Sequence, residues 1–542
     1  MPKDLSFSPR SRQQAYDPRY DPLVAADPGA GAAYAPSYWV ASAGVPPEDD
    51  GPVEQDTDVD VVVIGSGSTG ISTALYLAQE HGIKALALEA NQTAWGCSSR
   101  SGGQGQNASG RLTRSQWIER WGVDVAKKLD AEVRRGFDNF KHLSTQIDCD
   151  ASDGGHLYLA HRPEKLEYLR RETAVRREVF GYDTKLLSPE EVRRDYCDER
   201  DTAGAMLESQ GVGIHPLKFT FGLLRQARAL GVKVHTASPV QGWESINGVH
   251  HLRTPGGTVR ARRVAVCTGG YTGQRLTPTL KNGIMPILSN SVVTRPLTQA
   301  ELSATNFRTS IFLTDTRTLR FYYRLLPDKR LQIGSRSSVT GADAQDPSHL
   351  KLLTDAIARK FPPLAGIQID YSWWGWVDVS HDMMPRIVRP DPAQTLWYAV
   401  GYGGNGVAFS TWAGKRLAQR IVGQDAGQEY SNCPSMRRTS NTRICLAWCA
   451  RPPWPRFAGW ASAFSTSGTG CATRSNWQRI HDVHHRLPAF DRVLRNECSS
   501  LIEALRRHRK KSNGTSIADV RCRRKLMHAA GSKTAWKRLC SQ

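Results

Sequence analysis

A strand, a glycine-rich turn and a helix near the start of the chain constrain its fold more than any other feature. The apolar run 58–64 leads into the turn at 65–70, and an apolar helical pattern follows over 71–78. A second apolar run, 85–88, ends on Glu89. This order of strand, turn, helix, strand and acid is typical of a βαβ unit that binds a dinucleotide. The residues predicted to surround the pyrophosphate are Gly65, Gly67, Ser68, Thr69 and Gly70.

The three glycines of this turn have separate physical roles. Gly65 permits the tight turn after the strand, and Gly67 lets the backbone approach a pyrophosphate. Gly70 lets the helix pack closely on the strand. The helix N-terminus then faces the phosphates with its partial positive charge, and Glu89 accepts hydrogen bonds from ribose hydroxyls. We therefore predict a dinucleotide cofactor in this part of the chain.

Charge separates the 542-residue chain into two parts. Residues 431–542 contain 22 Lys or Arg and 5 Asp or Glu, so they contribute +17 of the chain's net charge of +21. Clustered basic side chains favour nucleic-acid binding, because they displace counterions from the phosphates. Seven of the 11 cysteines also lie in this segment, but together with its histidines they match no common zinc-site spacing.

The composition of residues 431–542 also changes without any periodic pattern. Arg, Cys, Trp, Ser and Pro rise together directly after a complete helical pattern at 411–422. Codons rich in G and C produce such a composition when they are read out of phase. We therefore predict that 431–542 is either a disordered basic tail or the product of a frameshift near residue 431. We expect neither a nucleic-acid partner nor a metal ion, and we keep nucleic-acid binding by the tail as the alternative.

The first 430 residues have the composition of an ordinary cytosolic enzyme. Their net charge is +4 and they contain four cysteines, which fits reduced thiols. No stretch approaches the roughly 20 apolar residues that a membrane-spanning helix needs. Residues 1–23 are polar and contain no apolar signal-peptide core. We therefore expect a cytoplasmic protein without a transmembrane segment.

Three further segments have residues suited to contact with a ligand. The run 95–104 is too rich in Gly and Ser for a helix interior and suits a loop. The apolar run 263–267 ends in the Thr-Gly-Gly of 268–270, which is typical of a second backbone approach to a nucleotide. The apolar run 397–400 enters the glycine-rich 401–406, and a helical pattern follows. A second helix N-terminus is thereby directed at a ligand.

The intervening segments have other patterns. Residues 117–133 and 165–180 show amphipathic helical periodicity. From 286 to 376 short alternating strands dominate, and this predicts an antiparallel sheet separate from the nucleotide-binding fold. The aromatic residues concentrated there are Tyr322, Tyr323, Trp373, Trp374 and Trp376.

The four ligand-directed segments resemble the D-amino-acid-oxidase-like family of FAD-dependent oxidoreductases over residues 34–425. The basic-aromatic helix with which the family usually ends is missing here. The resemblance implies an α/β fold in which an FAD-binding Rossmann-like domain of the glutathione-reductase type is interleaved with an antiparallel-sheet substrate domain. The implied divisions are an extended leader at 1–55, an FAD-binding domain at 56–110, 205–285 and 380–430, a substrate domain at 111–204 and 286–379, and the basic tail at 431–542.

The resemblance also implies which residues bind FAD. The sequence departs from the family's pattern at Cys97, Ser101 and Cys267. Relatives that tether FAD do so through a cysteine just before the last nucleotide segment, and 376–385 contains none, so we expect non-covalent FAD. The helix after 401–406 would stabilise the negative charge that reduction places on the flavin. The implied FAD-binding residues are Gly65, Gly67, Ser68, Thr69, Gly70, Glu89, Ser98, Ser99, Arg100, Gly103, Gln104, Val240, Thr268, Gly269, Gly401, Gly403, Gly404, Asn405 and Gly406.

The family's chemistry implies the reaction. FAD enzymes of this kind oxidise a C–N bond of a small-molecule amine to an imine, which hydrolyses to an aldehyde or keto acid. The first expected substrate is a γ-glutamylated diamine, which would connect the protein to polyamine catabolism. Sarcosine, glycine and D-amino acids are the alternatives. Either O2, with release of H2O2, or a quinone would reoxidise the flavin. An FAD-dependent RNA-modifying or RNA-binding protein is a further alternative.

No catalytic residue is assigned, but three residues are candidates for contact with the substrate. Arg324 is a candidate partner for the carboxylate of a γ-glutamyl group, and pairing with a surface acid is the alternative. Tyr323 is a second candidate, although packing in the sheet core is the favoured alternative for the aromatic residues. His381 is the third, with an ordinary surface or core histidine as the alternative.

Overall fold

The computed structural model describes residues 17–424, except 274–275, 277–283, 339, 342–343 and 381. All of them belong to the first of the two units into which the chain divides, residues 1–468. The predictions for the tail at 431–542 and for His381 therefore lie outside the described residues. Within the described part, no helix has the length and apolar character needed to cross a membrane.

The described residues form the following elements. The helices are α1 (Tyr38–Ser42), α2 (Ser68–His81), α3 (Arg114–Trp121), α4 (Val123–Gln146), α5 (Pro163–Glu178), α6 (Pro189–Asp195), α7 (Pro216–Ala229), α8 (Gln299–Thr305), α9 (Ser348–Lys360) and α10 (Gly406–Ile421). The strands are β1 (Thr57–Ile64), β2 (Leu86–Leu88), β3 (Gln104–Gln106), β4 (Ser152–Asp153), β5 (His156–Leu159), β6 (Thr184–Leu187), β7 (Ala205–Glu208), β8 (Gly211–Gly213), β9 (Lys233–His235), β10 (Gly242–Ile246), β11 (Val249–Thr254), β12 (Gly257–Val266), β13 (Ile284–Pro296), β14 (Phe312–Asp315), β15 (Tyr322–Leu325), β16 (Arg330–Ser335), β17 (Ile369–Ser380), β18 (Arg386–Val388) and β19 (Leu396–Val400).

The first sheet contains the predicted βαβ unit. Strands β19, β12, β1, β2 and β9 are parallel neighbours in that order. The hairpin β10–β11 pairs with the first half of β12, and β18 pairs antiparallel with β19. Residues 61–64 of β1 are buried, as expected for a parallel strand that is covered on both faces. The carboxyl ends of β1, β2 and β12 therefore meet at one edge, where α/β sheets bind ligands.

Helices α2 and α10 pack directly against each other beside this sheet. Gly414 of α10 makes the close approach possible, because a Cβ at that position would lie 2.7 Å from the carbonyl oxygen of Thr69. Contacts nearer than 3 Å do not occur for real Cβ atoms, so a larger residue would separate the two helices. The first turn of α2 therefore lies against the middle of α10.

The second sheet has, within the described residues, the strand order β17–β13–β16–β15–β14–β5–β7–β6. All neighbours are antiparallel except β14 and β5. The predicted interleaved α/β fold with a separate antiparallel sheet is thus confirmed, with one parallel pair added. Strand β7 begins at residue 205, where we predicted the second FAD-binding segment to start, yet it pairs within this second sheet. A third, small sheet has the order β3–β8–β4.

The helical pattern predicted over 117–133 is divided between two helices. Helix α3 ends at Trp121 and α4 begins at Val123. Gly122 between them has a φ of +82°, a left-handed conformation that glycine adopts without steric cost. The apolar periodicity continues across this break because both helices bury one face in the same core. Apolar periodicity alone therefore does not reveal the break between α3 and α4.

The leader packs onto the body of the protein at a short helix, α1. Ser37 caps this helix by accepting a hydrogen bond from the N–H of Val40. Trp39 is fully buried, and its Nε1 donates to the carbonyl oxygen of Ser101 at 2.8 Å. The leader is therefore attached to the loop that follows the βαβ unit.

Candidate active site

A cavity of about 380 Å³ joins the two sheets. Its lining includes residues at the carboxyl ends of β1, β2 and β12, namely Ile64, Leu88 and Cys267. It also includes Thr314 of β14 and Tyr322 of β15, which belong to the second sheet. The cavity therefore offers one end to a nucleotide and another end to a second molecule.

Two helices begin at this cavity. Helix α2 starts directly after Gly67, and α10 starts directly after Asn405. Neither of these preceding residues caps its helix with a side-chain hydrogen bond, and the Asn405 amide instead donates to the carbonyl of Gly110. Each helix N-terminus carries a partial positive charge. The cavity thus has two places that favour a negatively charged ligand group.

The turn after β1 leaves room for a ligand at Gly67. Gly65 has a φ of +100°, and a Cβ there would lie 2.8 Å from the carbonyl oxygen of Cys267. A Cβ at Gly70 would overlap the carbonyl group of Gly65. A Cβ at Gly67, in contrast, would meet among the described residues only Oγ of Ser98, at 3.2 Å. This cradle fits a pyrophosphate that lies against bare backbone.

Glu89 directly follows β2 and stabilises the turn after β1 through hydrogen bonds. Its Oε2 accepts hydrogen bonds from the backbone N–H and the hydroxyl of Ser66, both at 2.9 Å. Its Oε1 accepts from the N–H of Asn91 at 3.0 Å. Burial raises the pKa of the Glu89 carboxyl above its ordinary value, although these hydrogen bonds oppose the shift. Glu89 therefore holds the glycine turn in shape as well as facing the cavity.

The loop at 95–104 is organised around Arg100. The Arg100 Nε donates to the carbonyl oxygen of Trp95 at 3.2 Å, and its guanidinium carbon lies 4.5 Å from the centre of the Trp95 ring. Oγ of Ser98 accepts a hydrogen bond from the N–H of Ser68 at 3.0 Å. The loop is thereby bound to the first turn of α2, and both segments line the cavity.

Most residues predicted to bind FAD line this cavity. They are Gly65, Gly67, Ser68, Thr69, Glu89, Ser98, Arg100, Gln104, Val240, Thr268, Gly269, Gly403, Gly404, Asn405 and Gly406. Those outside the lining are Gly70, Ser99, Gly103 and Gly401. Ser99 donates from its hydroxyl to the carbonyl of Trp95, and Gly401 donates from its N–H to the carboxylate of Asp378. Ser99 and Gly401 thus lie directly behind two lining residues, Trp95 and Asp378.

The structure does not support Tyr323 or Arg324 as substrate contacts, because neither lines the cavity. The Tyr323 hydroxyl donates to Oε1 of Glu199 at 3.3 Å in the core of the second sheet. Arg324 is buried, and its Nη2 donates to the carbonyl oxygen of Ile214 at 2.5 Å. It also lies 5.5 Å from the centre of the Trp39 ring. Arg324 therefore links the leader to the third sheet.

Sequence reasoning missed three arginines that do line the cavity, Arg111, Arg320 and Arg336. Arg336 directly follows β16, and Arg320 lies two residues before β15. No clear signal in the sequence pointed to these residues. The strand ends that place Arg320 and Arg336 at the cavity depend on how β15 and β16 pair, and Arg111 lies in the irregular segment before α3.

A buried carboxyl group also faces the cavity. Oδ2 of Asp378 accepts from the N–H of Gly401 at 2.5 Å, and its backbone oxygen accepts from the N–H of Gly403 at 2.8 Å. Burial raises the pKa of Asp378 to about 6, and the hydrogen bond from Gly401 opposes this shift. Asp378 therefore fixes the glycine turn that precedes α10.

Comparison with known proteins assigns this architecture to a family. Residues 60–420 match the family described as DAO, FAD dependent oxidoreductase. The chain belongs to this family, and it is an FAD-dependent oxidoreductase. The predicted family, enzyme class and FAD cofactor are confirmed.

Individual relatives resemble most of the chain. It is 31% identical over 409 residues to gamma-glutamylputrescine oxidoreductase of Escherichia coli (strain K12), covering 73% of this chain and 92% of that protein. It is 27% identical over 387 residues to sarcosine oxidase subunit beta of an Arthrobacter species, covering 68% and 88%. The crystal structure of glycine oxidase from Geobacillus kaustophilus superposes with a TM-score of 0.57 at 20% identity, covering 68% of this chain and 96% of that one. The family resemblance noted in the sequence thus extends to gamma-glutamylputrescine oxidoreductase.

Proposed function

We propose that the protein oxidises the C–N bond of an amine, with γ-glutamylputrescine or a similar γ-glutamylated amine as the first candidate substrate. The observation that carries this proposal is the 31% identity to gamma-glutamylputrescine oxidoreductase over 92% of that relative. Such a substrate would place the protein in polyamine catabolism. We propose the cytoplasm as its location.

The chain's own residues divide the cavity between cofactor and substrate. Gly65, Gly67 and the first turn of α2 would hold the FAD diphosphate without covalent attachment. The N-terminus of α10 would stabilise negative charge on the reduced flavin. Tyr322 would form part of the substrate wall, since its hydroxyl is held by hydrogen bonds to Oγ of Ser289 at 3.1 Å and Oγ of Ser291 at 2.9 Å.

FAD, when bound, accepts the two electrons that the substrate loses. The neutral amine loses a hydride, which carries these two electrons, from the carbon next to nitrogen and a proton from nitrogen to water, and an imine results. Water then hydrolyses the imine to an aldehyde and an amine or ammonia. Because only the neutral amine has a nitrogen lone pair to assist this loss, the rate should rise with pH as the ammonium form loses its proton.

Two further candidate substrates follow from the other relatives, whose names specify sarcosine oxidase and glycine oxidase. Sarcosine and glycine are smaller than γ-glutamylputrescine, and each carries one carboxylate beside the amine. The proposed electron acceptor is O2, which would yield H2O2, or a quinone.

Anaerobic mixing tests the proposal. The purified yellow protein is mixed with γ-glutamylputrescine, putrescine, sarcosine, glycine and a D-amino acid, and flavin bleaching is followed. We expect γ-glutamylputrescine to bleach the flavin fastest. If none of these amines bleaches it, the proposed function is wrong. Admitting air to the reduced protein, with and without a soluble quinone, then distinguishes the two acceptors by H2O2 release.

A further inference from the structure

Three guanidinium groups line the cavity within range of one another's charge. Arg111 and Arg336 lie against two consecutive glycines, since a Cβ at Gly403 would lie 2.8 Å from Cγ of Arg111 and a Cβ at Gly404 would overlap Nη2 of Arg336. Arg320 lines the same cavity, with its guanidinium carbon 5.5 Å from the centre of the Tyr158 ring. Because residues 403 and 404 are glycines, the side chains of Arg111 and Arg336 have room to enter the cavity.

These arginines have no acidic partner within the described residues. No ion pair involves Arg111, Arg320 or Arg336 there, whereas the buried Arg114, Arg176 and Arg416 each bind a carboxylate. Arg336 is only 8% exposed. In the part of the chain that the structure describes, its Nε and Nη1 and the Nε of Arg320 are buried without a hydrogen-bond partner. Buried donors of this kind are costly unless a ligand satisfies them.

The three positive charges act on one another. Repulsion from Arg336, together with burial, holds the pKa of Arg111 well below its ordinary value. Burial and the charge of Arg320 lower the pKa of Arg336 to about 10. Like charges are held together in this way chiefly at functional sites, where a ligand of opposite charge relieves the repulsion. The ligand end that fits here is therefore anionic.

We propose that the substrate carries two carboxylate groups, which Arg111, Arg320 and Arg336 bind together. A single carboxylate forms one bidentate pair with one guanidinium, and it would leave two of the three arginines without a counter-ion. The γ-glutamyl group of the first candidate substrate supplies only one carboxylate, so the inference favours an amine with two carboxylates over that candidate. It rests on the proposed function for the identity of the reacting group, an amine.

Calorimetric titration of the FAD-loaded protein tests the charge requirement without any turnover. Succinate is compared with butyrate, and glutarate with pentanoate, so that each pair has equal chain length and differs by one carboxylate. We expect each diacid to bind about 10- to 100-fold more tightly than its monoacid, as one additional charge-assisted interaction predicts. Equal affinities for diacid and monoacid would overturn the inference.

Two variants assign the preference to these side chains. Arg336→Gln should reduce the ratio of diacid to monoacid affinity by about tenfold or more, and Arg320→Gln serves the same purpose if the first variant fails to fold. Arg171→Gln is the matched control, because Arg171 is exposed on α5, and it should leave the ratio unchanged. A ratio that survives both cavity variants would overturn the inference.

A pair of amines separates this inference from the proposed function. Iminodiacetate is sarcosine with a second carboxylate on its methyl carbon, so both present a secondary amine. We expect iminodiacetate to bleach the flavin with the lower half-saturating concentration, and this advantage should vanish in Arg336→Gln. If amines bleach the flavin but a second carboxylate confers no advantage, the inference is wrong and the proposed function stands. If the diacid preference is present and no amine bleaches the flavin, the proposed function is wrong.

Discussion

Gly67→Val should abolish FAD binding and leave the protein folded. The Gly67 backbone has a φ of −72°, which any residue adopts. Among the described residues an added Cβ would meet only Oγ of Ser98, at 3.2 Å. The valine methyl groups would therefore occupy the cavity and not the protein core. We expect the free energy of unfolding of the FAD-free protein to change by less than about 1 kcal/mol.

The magnitude follows from the linkage between binding and folding. At an FAD concentration about 100 times its Kd, bound FAD should raise the free energy of unfolding by about 2.7 kcal/mol. Thermal unfolding with and without added FAD should show this stabilisation in the wild-type protein and none in Gly67→Val. The variant should also be purified without flavin absorbance. Gly154→Val is the control, because Gly154 is exposed and has no atom of the described residues near its added Cβ.

Gly70→Ala, unlike Gly67→Val, should destabilise the FAD-free protein. Its Cβ would overlap the carbonyl group of Gly65, so it should lower the free energy of unfolding of the FAD-free protein by about 1–3 kcal/mol, as overpacking does. A yellow Gly67→Val protein with the wild-type affinity for FAD would refute the assignment of this turn to the diphosphate.

Three further outcomes are expected. Acid precipitation should release all yellow colour into the supernatant, because 376–385 contains no cysteine; a yellow pellet would contradict non-covalent binding. Since the pKa of Asp378 is raised from 3.8 to about 6, its proton stabilises the fold at low pH. About 3 kcal/mol of stability should be lost between pH 4 and 6, and Asp378→Asn should flatten this slope in unfolding measurements. Lys360 is fully buried with its Nζ 3.1 Å from Glu199 and 3.3 Å from Asp201, so Lys360→Met should cost about 3–5 kcal/mol of stability in urea titrations without lowering FAD content; an unchanged midpoint would contradict this.

The nucleotide end of the cavity could be predicted because its determinants are local in the chain. The run from β1 to Glu89 spans one βαβ unit, whose strand, turn and helix follow one another directly in the sequence. Gly70, for example, approaches the carbonyl group of Gly65, only five residues earlier. The helix start at Gly406 is recognisable for the same reason, since strand, glycines and helix follow one another directly. The sequence of such a segment therefore predicts its structure independently of the rest of the fold.

The substrate end could not be predicted because it depends on pairing between distant strands. Arg324 lies within β15 while Arg320 lies just before it, and the sequence does not show where that strand begins. A difference of four residues decides which arginine reaches the cavity and which lies behind it. Arg111 enters only because Gly403, almost 300 residues later, leaves space for its side chain. Periodicity carries no information about such long-range contacts.

The strand order of the first sheet has a consequence for how the protein is made. Strand β1 is complete at Ile64, but its neighbour β12 begins at Gly257 and the sheet is closed by β19 at 396–400. At a synthesis rate of about 5–20 residues per second, the interval between β1 and β19 lasts roughly 17–70 s. Until β12 is complete at residue 266, β1 has only β2 as a strand neighbour among the described residues, and until β19 is complete β12 lacks its outer parallel neighbour. Chaperone supply, and not flavin supply, should therefore set the yield of folded protein when the gene is strongly expressed.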